Sequence, residues 1–169
     1  MPHLVVRTSV YPHRVEQTVG WERAAFEGAG VEYRFVQPDD PAALRAAVAE
    51  ADALLLATPE YNRGTSGVLK NAIDWLSRPA LASVLRWKPV AIIGASSGRN
   101  GTRRAQQQVR DALLFPGAVV LEEPEVALPI AWERFDPNLN LTDENAGAAL
   151  TELLARLVAL AREKHPVAA

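Results

Sequence analysis

Short apolar runs alternate along this chain with segments of helical periodicity, and that alternation limits the fold more than any other feature. Leu4-Val5-Val6, Ala53-Leu54-Leu55-Leu56-Ala57 and Pro89-Val90-Ala91-Ile92-Ile93-Gly94 carry no charged side chain, Val31 to Val36 alternates like a strand, and Ala118 to Leu121 reads as a fifth strand. Unbroken apolar strands need cover on both faces, which is the pattern of a parallel sheet held between layers of helices.

The helices are read from their stripes and caps. One is expected from Arg14 to Glu27, with Val15, Val19 and Phe26 inward and Gly28 and Gly30 ending it. Asp40-Pro41 is a start signal, with Asp as cap and Pro in the first turn, and Leu44, Ala47, Val48 and Ala51 then share a face. Thr65 or Ser66 can cap the next helix, whose stripe is Val68, Leu69, Ala72, Ile73 and Leu76. Ala105, Val109, Ala112 and Leu113 mark another. The last begins near Thr142, with Asp143 and Glu144 in its first turn, and buries Leu150, Leu153, Leu154, Leu157 and Val158. The expected fold is α/β: one flavodoxin-like domain over residues 1–169, a doubly wound sheet of five parallel strands in the order 2-1-3-4-5 with helices on both faces.

Composition narrows the function. A net charge of −2 offers no general attraction to nucleic acid or to an anionic membrane, and no apolar run is long enough to span a bilayer. The chain has no cysteine, which excludes disulfides and thiolate chemistry and fits a cytoplasmic location. His3, His13 and His165 lack metal-ligand spacing.

In an open parallel sheet, ligands bind beyond the carboxyl ends of the strands. Three polar loops are expected there: Thr8 to Arg14, Thr58 to Gly67, and Gly94 to Thr102. The last has three glycines and many backbone donors, which suit an anionic or carbonyl-rich ligand, although it is not a Walker loop. It also holds Gly94-x-Ser96-x-Gly98, the spacing of a hydrolase nucleophile elbow. Asp111, Asp136 and Asp143 are the candidate acids for that chemistry and His165 the downstream histidine. Glu60 reads either as a functional acid or as a solvated or capping carboxylate.

Taken together, the loops resemble the NADPH-dependent FMN reductase family of small flavin, quinone, azo and chromate reductases. "ATPEYNRGTSGVLKNAIDW" is similar to the family's P-E-Y-N segment, "KPVAIIGASSGRNGTRRAQQQVR" to its next strand, glycine loop and helix, and "FDPNLNLTDENAGAALTELLARL" to its last segment. The resemblance implies a bound FMN, with Pro59, Glu60, Tyr61 and Asn62 beside the isoalloxazine ring and Ala95, Ser96, Ser97, Gly98 and Gly101 along its pyrimidine edge. The chemistry then belongs to FMN, with NADPH or NADH as hydride donor, and no protein residue is assigned a catalytic role.

The first loop departs from the family. Ser9 matches its serine, but Tyr11 stands where an arginine is usual and Arg14 where a later serine is usual. Ser9, Tyr11, His13 and Arg14 are therefore the candidate phosphate contacts. The expected function is an NAD(P)H oxidoreductase that passes electrons through FMN to a small-molecule acceptor such as a quinone or free flavin. The alternatives are a flavin-binding or partner-binding module with weak turnover, and a serine hydrolase using Ser96. A homodimer or homotetramer is expected, from the resemblance and from Trp75, Trp87, Trp132 and Phe135 near polar or irregular stretches. Asn62 is expected to set flavin placement rather than stability.

Overall fold

The computed structural model describes residues 3–5, 32–34, 40–138 and 140–164. In chain order these form β1 (His3–Val5), β2 (Glu32–Arg34), α1 (Pro41–Glu50), β3 (Ala53–Ala57), α2 (Gly67–Leu76), β4 (Pro89–Ala95), α3 (Arg103–Leu114), β5 (Val119–Val120), β6 (Val126–Leu128) and α4 (Glu144–Lys164). The helix expected over 14–27 lies outside the described residues.

The strands make one six-stranded sheet along the path β2-β1-β3-β4-β5, with β6 also paired to β4. Every strand pairing in it is parallel. The α/β flavodoxin-like class is as expected; the count of five strands is not. One flank of β4 is shared: Pro89 and Val90 face Val119 and Val120, whereas Ile93, Gly94 and Ala95 face Val126, Ala127 and Leu128. Between the two pieces stands Glu122-Glu123-Pro124-Glu125. Proline has no N–H for a ladder and three carboxylates resist burial, so pairing stops and resumes after them.

The strands bury both faces because their side chains alternate. Leu54, Leu56, Val90 and Ile92 join α1, α2 and α3 in one core. Ala53, Leu55, Ala91 and Ile93 join Val126 and the Leu150, Leu153, Leu154 and Leu157 stripe of α4 in the other. Asp40 caps α1 by accepting from the N–H groups of Ala42 and Ala43 at 2.9 and 3.1 Å, and Ser66 caps α2 by accepting from Leu69 N–H at 3.2 Å. Two details differ from expectation. Val68 is exposed, because Leu69, Ala72, Ile73 and Leu76 already fill the inward stripe and it lies outside them. Asp143 precedes α4 and caps it, its Oδ1 accepting from Ala146 N–H at 3.0 Å.

Candidate functional site

β3 and β4 are neighbouring parallel strands, so the loops that leave their carboxyl ends share one end of the sheet. The first loop is fastened before it turns. Thr58 is buried; its N–H donates to Ile93 O at 3.0 Å, and its hydroxyl lies 2.8 Å from Pro59 O and 3.0 Å from the hydroxyl of Thr65. The chain then reverses tightly. Tyr61 and Gly64 exchange both backbone hydrogen bonds at 2.9 Å, with Asn62 at φ 50° and Arg63 at φ 66° between them. Two successive left-handed residues mark a type I′ turn, a natural place for Asn and an unnatural one for Arg.

Helix α3 holds both arms of this turn. Glu60 Oε2 accepts from the N–H groups of Arg104 at 3.1 Å and Ala105 at 3.3 Å. Gln108 Oε1 accepts from Thr65 N–H at 3.0 Å. Of the two expectations for Glu60, the structure shows the capping carboxylate: its charge sits at the positive end of the α3 dipole.

The glycine loop joins β4 to the same helix, and its three glycines do different work. A Cβ on Gly94 would lie 2.2 Å from Thr58 O and 2.4 Å from Thr102 Oγ1. One on Gly101, at φ 60°, would lie 2.3 Å from Ala127 O. Packing therefore explains both. At Gly98 a Cβ would approach only Ser96 Oγ, at 3.6 Å, so the protein leaves room for a side chain there. The loop is anchored from behind: Ser96 N–H donates to Leu128 O, Ala131 N–H to Ser96 O, and Ile130 N–H to Gly98 O, at 3.0, 3.0 and 3.2 Å. Ile130 keeps φ 49° to do this, a costly conformation for a β-branched residue. The N–H groups of Ser97, Arg99 and Asn100 meet no acceptor among the described residues.

Sequence reading missed Gln106. It is fully buried, and its Nε2 donates to Thr102 Oγ1 at 3.0 Å and Val126 O at 2.9 Å, tying the start of α3 to β6. Its spacing from Val109 and Leu113, three and seven residues on, is a signal that was available.

Pro59, Glu60, Tyr61 and Asn62 thus share one end of the sheet with Ala95, Ser96, Ser97, Gly98 and Gly101: Glu60 is held by the first N–H groups of α3, and the glycine loop runs into the same helix and is tied to β6 through Ser96. Ser9, Tyr11, His13 and Arg14 lie outside the described residues. The hydrolase arrangement finds no support. Ser96 Oγ accepts from Gly98 N–H, and α3 begins only at Arg103, so no sharp strand-to-helix elbow exists. Asp111 accepts from Gln107, Asp136 from Asn140, and Asp143 from Arg134, while His165 is outside the described residues.

The family profile described as NADPH-dependent FMN reductase matches residues 23–133, which span both loops. This chain belongs to that family. The NAD(P)H-dependent FMN reductase of Pseudomonas aeruginosa is 47% identical over 113 residues, covering 67% of this chain and 60% of that protein. The 2-hydroxy-1,4-benzoquinone reductase of a Burkholderia species is 39% identical over 128 residues, covering 76% and 70%. Among solved structures, the flavoenzyme NAD(P)H:(acceptor) oxidoreductase FerB from Paracoccus denitrificans superposes with a TM-score of 0.80 at 28% identity, covering 98% of this chain and 99% of that one. The match therefore spans 60% to 70% of the length of these two curated relatives. Among the described residues no helix is long and apolar enough to cross a membrane.

Proposed function

We propose that the protein is an FMN-dependent NAD(P)H oxidoreductase whose acceptor is a small molecule of the quinone or free-flavin class. The observation that carries this reading is the glycine loop. It offers the N–H groups of Ser97, Arg99 and Asn100 together with an open lane over the exposed Gly98, at the same end of the sheet as the Pro59–Asn62 turn. A planar, carbonyl-rich ring fits that lane, and its pyrimidine oxygens suit those donors.

When bound, FMN would supply the hydride acceptance and release. The chain's own residues place it. Pro59, Tyr61 and Asn62 would line one side of the ring, with Glu60 bracing the turn on α3. Ala95, Ser96, Ser97 and Gly98 would border the pyrimidine edge, with the N–H groups of Ser97, Arg99 and Asn100 as its donors, and Gly101 lets that loop rest on Ala127. Ser9, Tyr11, His13 and Arg14 are proposed for the phosphate, with Arg14 replacing the charge of the family's arginine. β5 and β6 act as two halves of one position beside β4, which gives the sheet five positions in the order 2-1-3-4-5.

The protein is read as cytoplasmic and as a homodimer or homotetramer. The exposed Trp75, Trp87 and Trp132, 55%, 61% and 65% accessible, support an interface, and light scattering at micromolar concentration tests it. The function is tested by the absorption spectrum of the purified protein with and without added FMN, followed by NADPH or NADH oxidation with a quinone present. A flavin band with turnover is the expected result. Bound flavin without turnover would make the protein a flavin-binding module instead, and no flavin binding would remove the reading.

A further inference from the structure

Arg63 and Arg104 each stand where local physics disfavours an arginine, and the fold brings the two positions together. Arg63 is the second central residue of the turn, at φ 66°, where glycine is usual; here the glycine comes one residue later, at Gly64. Arg104 lies in the first turn of α3, where the helix dipole disfavours a cation. That turn contains Arg103 and Arg104 and no acidic residue. Arg103 is paired with Glu125 at 2.6 Å, but neither Arg63 nor Arg104 has an ion-pair partner among the described residues.

Their proximity follows from the loop's attachments. Glu60, before the turn, accepts from Arg104 N–H, and Thr65, after it, donates to Gln108. Arg104 and Gln108 are four residues apart and share one stripe of α3. The turn lies along that stripe with Arg63 at its tip, and Arg63 and Arg104 are both exposed. Local rules broken together at one spot are the usual mark of a selected function.

We propose that Arg63 and Arg104 form a phosphate site at the rim of the crevice that takes the 2′-phosphate of NADPH, so that they set the preference for NADPH over NADH. The proposal rests on the reductase reading above. A nicotinamide stacked on a ring beside the Pro59–Asn62 turn must carry the remainder of its dinucleotide out past the loops. The 2′-phosphate is a dianion at the far end, and two guanidinium forks match its oxygens in a way that ammonium groups do not. Arg63 keeps its unfavourable backbone conformation because the turn tip is the position from which that fork reaches outward.

The test uses the FMN-loaded protein with Arg63→Gly, Arg63→Lys and Arg104→Gln. Arg63→Gly removes the charge and relieves the left-handed conformation, so its thermal midpoint is expected to hold or rise by a few degrees. Its KM for NADPH is expected to rise about ten- to a hundredfold, the scale of a charge-assisted contact, against about twofold or less for NADH. Arg104→Gln should act in the same direction, and Arg63→Lys should recover part of the loss. Adenosine 2′,5′-bisphosphate, titrated by calorimetry against AMP as control, should bind the wild type and lose affinity in parallel. Equal losses for NADPH and NADH, or none, overturn the proposal, as does a change in oligomeric state that accounts for the loss. If the wild type oxidises neither nucleotide, the reductase reading falls, and the bisphosphate titration decides the arginine pair separately.

Discussion

Glu60 Oε2 accepts from the backbone N–H of Arg104 at 3.1 Å, so the loop after β3 is fixed to the helix after β4 by a carboxylate on a helix terminus. Together with the Thr65 N–H bond to Gln108, this contact holds the turn after β3 against α3. Glu60→Ala removes it and leaves the first N–H groups of α3 uncapped. The expected cost is about 1–2 kcal/mol of folding stability with a loss of FMN affinity, and Glu60→Gln should recover much of the first by keeping an acceptor oxygen. Urea unfolding of the apo-protein and flavin titration of the same samples check both. A stable Glu60→Ala variant with normal flavin binding would show that the loop holds its place without the contact.

Gly94 and Gly98 provide an internal contrast. An alanine at Gly94 meets the backbone oxygen of Thr58, which cannot move without shifting β3, so Gly94→Ala is expected to cost about 1–3 kcal/mol or to prevent folding. Gly98→Ala meets only the Ser96 hydroxyl and should leave the thermal midpoint within a degree or two. Its methyl would instead stand in the proposed ring lane and weaken FMN binding by tenfold or more, about 1.4 kcal/mol. Flavin binding unaffected by Gly98→Ala would place the ring elsewhere.

Asn62 separates the turn from the ligand. Sequence alone predicts that Asn62→Ala leaves the apo-protein nearly as stable as before. The φ of 50° changes that expectation, because alanine tolerates the left-handed region less well than asparagine and should cost about 1 kcal/mol. Asn62→Gly accepts the conformation without that strain. If the amide contacts flavin, Asn62→Gly lowers FMN affinity while the apo-protein unfolds at its usual temperature. If Asn62 serves the turn alone, Asn62→Gly is silent in both measurements.

What was legible in the sequence was what local chemistry decides. Asp40-Pro41 announced the start of α1, and the Leu69, Ala72, Ile73 and Leu76 stripe announced the inward face of α2. The two loops at the carboxyl ends of β3 and β4 were legible from the strands that precede them. Features set by long-range contacts were not. β6 was hidden because Glu122-Glu123-Pro124-Glu125 ended the apolar run at Leu121, six residues before Ala127, which pairs opposite Gly94. Gln106 was passed over because glutamine reads as surface until the carbonyl of Val126 is found facing its amide. The left-handed Arg63 was invisible because Gly64, the residue that would ordinarily take that conformation, sits one position late.

The segment after β6 is tied by charge, which gives it a pH dependence. Arg134 Nη1 meets Asp143 Oδ2 at 2.5 Å, with the pair partly buried, and Thr142 N–H donates to Arg134 O at 2.8 Å. The N–H of Ala146 and, against some desolvation, the Arg134 guanidinium hold the Asp143 carboxyl below its usual range. Asp136 is lowered in the same way, first by the side chain of Asn140. A carboxyl depressed in the folded state binds fewer protons than in the unfolded chain, so stability rises with pH between the two values. The contribution of Asp143 is therefore complete above the unfolded value of about 4 and fades as pH falls through the lower folded one. Asp143→Asn should lower the unfolding midpoint at neutral pH, and the gap from wild type should close progressively as the pH falls below about 4. Midpoints of both proteins measured across that range check the sign, and a gap of constant size would mean that Asp143 acts through shape and the cap hydrogen bond rather than through its charge.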